Sequence, residues 1–197
     1  MTVERGLPTD LPIKLFKDKQ TFAKWLEKNH DRSDGLWLQI AKKESGVKSV
    51  SYVEAIDVAL CYGWIDGKKD KYDESSWLQR FTRRGPKSIW SKINREKATN
   101  LISGGHMKLA GLAAIQSAKD DGRWIGAYDS HSTATVPDDF QAELDKSPEA
   151  SEFFDALNRT NRYAILFRIQ TAKKSETREK RIQQFIQMLK QREKIHP

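Results

Sequence analysis

The sequence has a single cysteine, Cys61, and no apolar run that approaches the length of about 18 residues needed to cross a membrane. One thiol excludes a disulfide bond within the chain and is typical of a reducing compartment. The N-terminal stretch MTVERGLPTDLPIKLF also lacks the apolar core of a signal peptide. These absences predict a cytoplasmic protein that does not span a membrane.

Recognised signatures of catalysis, nucleotide binding and metal binding are missing as well. The chain has no Walker loop, no dinucleotide-binding glycine motif and no nucleophile elbow. Its histidines lack metal-like spacing with each other or with the cysteine: His30, His106, His131 and His196. We therefore predict no cofactor and no metal, and we favour a binding protein over an enzyme. An enzyme stays an alternative, because catalytic groups are recognised by their geometry.

Positive charge is spread unevenly along the chain, whose net charge is +8. Residues 159–197 hold eleven Lys or Arg against three Asp or Glu, and the remaining residues balance at 24 against 24. Within that balanced part, residues 66–97 hold ten basic and five acidic side chains. Two basic zones on a neutral body predict an acidic partner: nucleic acid, anionic lipid head groups or a phosphorylated ligand. The alternative is a basic surface that contacts only solvent.

The local patterns predict an α+β fold, with a small antiparallel sheet whose hairpin is packed by helices, followed by a helical C-terminal half. Helix signals begin at Asp18, Ser51, Ser88 and His106, and strands are predicted at 36–42, 65–72 and 76–84, the last two forming the hairpin. A surface loop is predicted at 124–136, before four more helical signals at Pro137, Ser147-Pro148, Thr160 and Ser175. The predicted organisation is a flexible arm (1–12), an α+β domain (13–122) and a helical part (137–192) packed on it as one unit.

The stretch CYGWIDGKKDKYDESSWLQRFTRRGPKSIWSKIN, from Cys61 to Asn94, marks the candidate site. It holds three of the six tryptophans, interleaved with arginines. Rigid aromatic rings beside planar guanidinium groups suit stacking on a flat ligand or clamping an anion. Cys61 itself lies in the apolar end of a helix and is interpreted as a packed, inert thiol.

Two features of this stretch are predicted to converge on one anion-binding cleft. Arg80 and Arg84 share one face of the predicted strand, as an extended phosphate or carboxylate ligand requires. A helix starting at Ser88 would add its N-terminal amide groups together with Trp90, Ser91 and, one turn later, Asn94. The alternative for the arginines is ion pairing across the hairpin with Asp66, Asp70 or Asp73.

Other residues of the stretch have two interpretations each. Trp64 and Trp77 either contact the ligand or supply the buried area of the core, and the core is favoured. Asp66 precedes Gly67, so it forms either a turn or an acid/base carboxylate, and the turn is favoured. An enzyme that uses Asp66 as acid/base is one alternative function. A second is nucleic-acid binding by the C-terminal basic residues Lys173, Lys174, Arg178 and Arg181.

Five motifs resemble those of the bacterial YdeI-like family, also called bacteriocin-protection, YdeI or OmpD-associated. They are ALCYGWIDG at 59–67, QRFTxR at 79–84, SxWSxxN at 88–94, GxMxxAG at 105–111 and AKxxETRxxRI at 172–182. The resemblance runs in order from about residue 13 to residue 190. One position departs from the family pattern, since proline is common where Arg83 stands.

The resemblance implies an α+β domain of the YjbR and frataxin-like kind and a role in protection against bacteriocins or antimicrobial peptides, with a porin association. It carries no established catalytic residues. The leading hypothesis is a cytoplasmic, non-enzymatic binding protein linked to stress or antimicrobial resistance, which holds an anionic ligand between the arginine strand and the Trp90 helix.

Overall fold

The computed structural model describes Pro8 and residues 10–197, which form two compact units. The first unit runs up to Ser88 and includes Glu96–Gly122, whereas the second combines Ile89–Arg95 with Arg123–Pro197. A short segment of the N-terminal half is therefore part of the C-terminal unit, which the sequence did not lead us to expect.

Most of the predicted arm, residues 1–12, lies outside the described residues. The predicted boundaries at 13–122 and 137–192, and the packing of these two parts as one unit, stay predictions.

The first unit is built on a four-stranded sheet with the strand order β1-β2-β4-β3. Its elements in chain order are β1 (Ile13–Leu15), α1 (Lys19–Asn29), β2 (Leu36–Ala41), α2 (Tyr52–Cys61), β3 (Trp64–Lys71), β4 (Ser76–Arg83), the end of α3 (Lys92–Ser103) and α4 (Leu109–Asp120). The α+β prediction and the hairpin are confirmed. The sheet is mixed, however, because β1 pairs with β2 in parallel. Three residues are too few to show a strand pattern, so β1 was not predicted.

Two of the helix starts predicted from capping residues, Asp18 and Ser51, are confirmed. The Asp18 carboxylate accepts from the Thr21 N–H at 2.8 Å and opens α1. Ser51 and Glu54 form the reciprocal capping box that opens α2, with the Ser51 N–H donating to the Glu54 carboxylate at 3.0 Å. These caps satisfy N–H groups that a helix leaves without partners at its first turn, so the signal is local and readable from sequence.

Aromatic residues form the core between α1 and the sheet. Phe22 of α1 packs on Phe81 of β4 with a ring-centroid distance of 5.8 Å. Trp64 is fully buried, contacts Trp25 edge to face at 5.8 Å and donates its indole N–H to the His30 carbonyl at 3.1 Å. Trp64 is thus a core residue of this unit, as the favoured interpretation held.

The second unit contains four helices that enclose their own apolar core. They are α5 (Asp138–Asp145), α6 (Pro148–Ala156), α7 (Arg159–Gln170) and α8 (Ser175–Lys190). Phe140 and Phe154 meet edge to face at 5.4 Å, and Ile165, Ile169 and Leu189 are fully buried around them. The helical C-terminal half is confirmed.

The segment Ile89–Arg95 is joined to the second unit by backbone pairing. Tyr128 donates its N–H to the Trp90 carbonyl at 2.9 Å, and Lys92 donates its N–H to the Tyr128 carbonyl at 2.8 Å. The Trp90 and Trp124 rings meet edge to face at 4.9 Å. The predicted surface loop at 124–136 is therefore partly wrong, since this pairing and the burial of Ala127 and Asp129 make its first part structural.

Several predicted helix starts are displaced. The helix predicted from Ser88 begins at Lys92, because the Ser88 hydroxyl accepts from the Gly85 N–H at 3.0 Å in the preceding loop. The helix predicted from His106 begins at Leu109. Asn158, not Thr160, caps α7. The Ser175 start is one residue off, since Lys174 is the cap residue of α8.

Candidate ligand-binding site

Of the two predicted binding arginines, Arg80 lies within β4 and Arg84 directly follows its last residue, both in the first unit. A terminal nitrogen of the Arg80 guanidinium lies 3.2 Å from the Asp10 carboxylate, which also accepts from the Trp37 indole at 2.9 Å. The indole hydrogen bond, together with the positive charge of Arg80, lowers the pKa of Asp10. Arg80 is therefore ion-paired, but its partner is Asp10 and not one of the hairpin acids Asp66, Asp70 and Asp73 that the sequence suggests. Arg84 continues the strand by donating its N–H to the Gly63 carbonyl at 2.9 Å.

Asp66 lies inside β3, so its interpretation as a turn residue is wrong. The β3–β4 register shifts between Asp66 and Lys69, and Gly67 stands in that irregular stretch, which is typical of a β-bulge. The Asp66 carboxylate accepts from the Tyr52 hydroxyl at 2.7 Å. An acid/base role for Asp66 stays a prediction.

The other predicted cleft residues, Trp90, Ser91 and Asn94, belong to the second unit. The Trp90 side chain is only 1% exposed, so its ring is part of the packing around Trp124. Ser91 takes the capping role predicted for Ser88, since its hydroxyl accepts from the Asn94 N–H at 3.1 Å. The cleft combining these residues with the arginines stays a prediction.

A cavity that the sequence did not indicate lies in the first unit, between α1, α2 and the connection from α3 to α4. Its volume is about 420 Å³, within the range of small-molecule sites. We call it the α1–α2 cavity, and it is lined by Lys19, Gln20, Ala23, Glu54, Asp57, Val58, Cys61, Tyr62, Leu101, Gly105, His106 and Lys108.

Two lysines bring positive charge to this cavity, Lys19 from the start of α1 and Lys108 from the residue before α4. Lys19 acts electrostatically on Glu54 and Lys108 on Cys61, seven residues further along α2. A helix rises 1.5 Å per residue, so these two residues of α2 lie about 10 Å apart along its axis. Among the described residues no carboxylate forms an ion pair with Lys19 or Lys108. Of the two acids in the wall, Asp57 is paired with Lys97 at 2.6 Å.

Cys61 and Tyr62, which both line the α1–α2 cavity, are held in their neutral forms. Burial, reinforced by the negative charge of Asp57, raises the pKa of the Cys61 thiol. Burial also raises the pKa of the Tyr62 phenol, with a further contribution from Glu27. The cavity therefore offers hydrogen-bond donors and no thiolate.

Two glycines of the recognised motifs bring α4 close enough to α2 to close this cavity. Gly63 has a φ of +71°, and a Cβ there would lie 2.8 Å from the Ala110 carbonyl oxygen. A Cβ on Gly111 would lie 2.4 Å from the Cys61 carbonyl oxygen. The Lys108 N–H donates to the same Cys61 carbonyl at 3.2 Å. The motifs at 59–67 and 105–111 therefore meet at one packing contact, between the end of α2 and the start of α4.

The C-terminal basic residues divide into two kinds. Arg178 binds the Asp139 carboxylate through two nitrogens, at 2.5 and 2.8 Å, and donates to the Ile169 carbonyl at 2.9 Å. Arg181 donates to the Arg168 carbonyl. These arginines of α8 thus satisfy carbonyls at the C-terminal end of α7, where a helix leaves acceptors without partners. Lys173 and Lys174 are exposed, and phosphate contacts by this set stay a prediction.

Replacing Arg178 with alanine should destabilise the second unit by about 1 kcal/mol at neutral pH, because the pair is partly exposed to solvent. The hydrogen bond and charge of Arg178 lower the pKa of Asp139 in the folded state. This contribution is present above the ordinary carboxyl pKa of about 4 and is lost as the pH falls through the lowered value. Urea unfolding at pH 7 and pH 3 should show the difference from wild type shrinking in acid. An undiminished difference at pH 3, or an equal effect of Arg192→Ala, would contradict the assignment.

The predictions from sequence did not include the α1–α2 cavity or most of the residues that line it. Lys19 and Lys108 stand in ordinary helix-start contexts, and only the tertiary fold brings them to one space. A partial signal was present, since Cys61, Tyr62 and Gly105 belong to recognised motifs.

In the described part of the chain, no group of three His, Cys, Asp or Glu side chains is placed to hold a metal ion. None of the described helices is long and apolar enough to cross a membrane.

The fold is that of an α+β protein with a helical C-terminal unit. Two family models match the sequence. Residues 14–114 match the Domain of unknown function (DUF8412), and residues 133–192 match the family described as Bacteriocin-protection, YdeI or OmpD-Associated. The match over half its length shows that the chain belongs to the DUF8412 family, and the match over residues 133–192 confirms its resemblance to the YdeI-like family. No curated protein and no solved structure shows significant similarity to it.

Proposed function

We propose that this protein is a binding protein for a small amphipathic anion, held in the α1–α2 cavity. The observation that carries the proposal is the combination of a ligand-sized space with two lysines that no described carboxylate pairs with. Ala23, Val58 and Leu101 provide an apolar wall for the body of the ligand. Such a mixture of apolar lining and few polar groups is typical of small-molecule sites.

The charges of the cavity favour an acidic ligand over a basic one. Lys97 offsets Asp57, and Glu54 keeps its charge while its carboxylate is hydrogen-bonded to Ser51 in the capping box. Lys19 and Lys108 therefore outnumber the one lining carboxylate that has no ion-pair partner among the described residues, and the lining keeps a positive charge. Together with the apolar wall, this charge suits a molecule that carries an acidic group beside an apolar ring or chain.

Neutral side chains in the lining support binding over thiol chemistry. The raised pKa of Cys61 keeps its thiol protonated at neutral pH, and a protonated thiol is a poor nucleophile. The Tyr62 phenol remains a hydrogen-bond donor for the same reason. The leading hypothesis from the sequence, a cleft using Arg80, Arg84 and the Trp90 segment, stays a prediction. So do its two alternatives, nucleic-acid binding by the C-terminal basic residues and an enzyme using Asp66.

The physiological context we propose is the one named by the family match. The family's description includes bacteriocin protection. A protein that binds an amphipathic anion is compatible with protection against membrane-active molecules or with a stress response. This step rests on the family match alone.

Benzoate and benzyl alcohol test the proposal, because they share a ring and differ in charge. In ¹H–¹⁵N spectra of the full chain, benzoate should shift the amide signals of Tyr62, Gly105 and His106. Lys108→Ala should weaken benzoate binding about fivefold, the equivalent of an exposed ion pair, and leave benzyl alcohol unaffected. Val58→Trp should block both probes by filling the space.

Lys28→Ala is the matched control, since Lys28 is an exposed lysine on α1 that does not line the cavity. If the Lys108→Ala and Lys28→Ala proteins bind benzoate equally well, the positive charge of Lys108 has no role in binding. If Val58→Trp leaves binding intact, the α1–α2 cavity is not the site.

A further inference from the structure

We infer that the second unit has a separate binding site for a phosphate group, in a cavity beside the start of α7. This α7 cavity has a volume of about 260 Å³. It lies between the loop that begins at His131 and the first two turns of α7. Its polar lining consists of His131, Ser132, Arg159, Arg162 and Tyr163.

The charge of the lining carries the inference. Two arginines and a histidine face the space, and none of its described lining residues is acidic. The α1–α2 cavity, by contrast, contains Glu54 and Asp57. A concave surface lined by charge of one sign concentrates ions of the opposite sign.

The arginines are placed to act together on one oxyanion. Arg159 and Arg162 are three residues apart on α7, so they lie on the same face of the helix. Arg162 is half-buried, with its guanidinium carbon 4.6 Å from the Phe154 ring centre and one nitrogen 3.2 Å from Asp155. These contacts hold it in place. No described carboxylate pairs with Arg159, which leaves its planar fork for a phosphate group.

The remaining walls add a hydroxyl and limit the size of the ligand. The Ser132 hydroxyl lies 2.9 Å from that of Ser130, which fixes its position. Tyr163 donates to the Asp129 carbonyl at 3.0 Å, and its ring lies 4.9 Å from that of His131. The volume is near the lower limit of small-molecule sites, about 300 Å³. It fits inorganic phosphate or a small phosphate monoester.

Calorimetric titration of the full chain with inorganic phosphate and with phosphoserine tests the inference, with serine, which lacks the phosphate group, as the comparison. At least one phosphate probe should bind, more weakly at higher salt. Arg159→Ala should weaken that binding about tenfold or more, as expected for a lost charge-assisted hydrogen bond. Arg192→Ala should leave it unchanged, since Arg192 is an exposed arginine of the same unit outside the cavity.

Preference for phosphoserine would assign the site to a monoester, and preference for phosphate to the free ion. Both results support the inference. Equal binding by the Arg159→Ala and Arg192→Ala proteins, binding of serine as tight as that of the phosphate probe that binds, or no binding of either phosphate probe at low salt would overturn it. Arg159→Gln, which retains a long polar side chain, gives the same test if the alanine variant melts early.

Discussion

Replacing Gly111 with alanine is expected to destabilise the first unit by about 3 kcal/mol, the upper part of the usual range for overpacking. Gly111 lies in the first turn of α4, where an added Cβ would approach the Cys61 carbonyl oxygen to 2.4 Å and the Leu60 carbonyl oxygen to 2.7 Å. Both atoms are backbone at the end of α2 and cannot move aside as a side chain would. The two helices must therefore separate.

The sign of this prediction opposes helix propensity. Alanine is favoured over glycine inside a helix by about 1 kcal/mol, so a position without contact would gain stability. Urea unfolding followed by circular dichroism measures the change. Gly85→Ala is the control, because no atom lies within 4 Å of its Cβ position, and its effect should stay within about 0.5 kcal/mol. An equal effect of both substitutions would show that α4 does not pack on α2 as described.

The parts of the fold that could be predicted are those fixed by local chemistry. Capping at Asp18 and Ser51 involves a side chain and an N–H three residues away, so the pattern is contained in four residues. The hairpin was also predictable, since alternating residues and a polar turn stand next to each other in the chain. Local signals do not choose between two nearby serines, so the structure has Ser91 as the cap where the sequence predicts Ser88.

Long-range contacts set the features that could not be predicted. The segment Ile89–Arg95 joins the second unit because Trp90 and Lys92 pair with Tyr128, more than thirty residues away. Asp10 became the partner of Arg80 although it lies in a stretch interpreted as a loose arm. The α1–α2 cavity depends on how closely α4 approaches α2. A single sequence carries little record of such distances, except that Gly63 and Gly111 allow the close approach.

Replacing Asp129 with alanine is expected to destabilise the second unit by about 3 kcal/mol, because several charge-assisted hydrogen bonds are lost together. Asp129 is 6% exposed. Its carboxylate lies 2.7 Å from the Lys92 ammonium and accepts from the Gln170 amide at 2.5 Å. The Gln170 carbonyl in turn accepts the Asp129 N–H at 3.1 Å. The residue thus links the segment Ile89–Arg95 to α7.

The cost should come mainly from the Gln170 side. Lys92 is half-exposed, so water can solvate its ammonium group when Asp129 is removed. The Gln170 amide is less accessible to water, so its N–H loses its acceptor without a replacement. Asp129→Asn keeps the shape of the side chain and an oxygen that can accept from Gln170, so it should cost about 1 kcal/mol. Comparing Asp129→Asn with Asp129→Ala therefore separates the contribution of the ion pair to stability from that of the hydrogen bonds.

Hydrogen exchange distinguishes this link from a general loss of stability. Asp129→Ala should speed exchange at the amides of Lys92 and Tyr128, whose hydrogen bonds join the segment to the second unit. Asp155→Ala is the matched control, since that aspartate is 71% exposed and its pair with Arg162 should contribute little. Faster exchange confined to α5 and α6, with Lys92 and Tyr128 unchanged, would mean that backbone pairing alone holds the segment and that Asp129 only fills space beside α7.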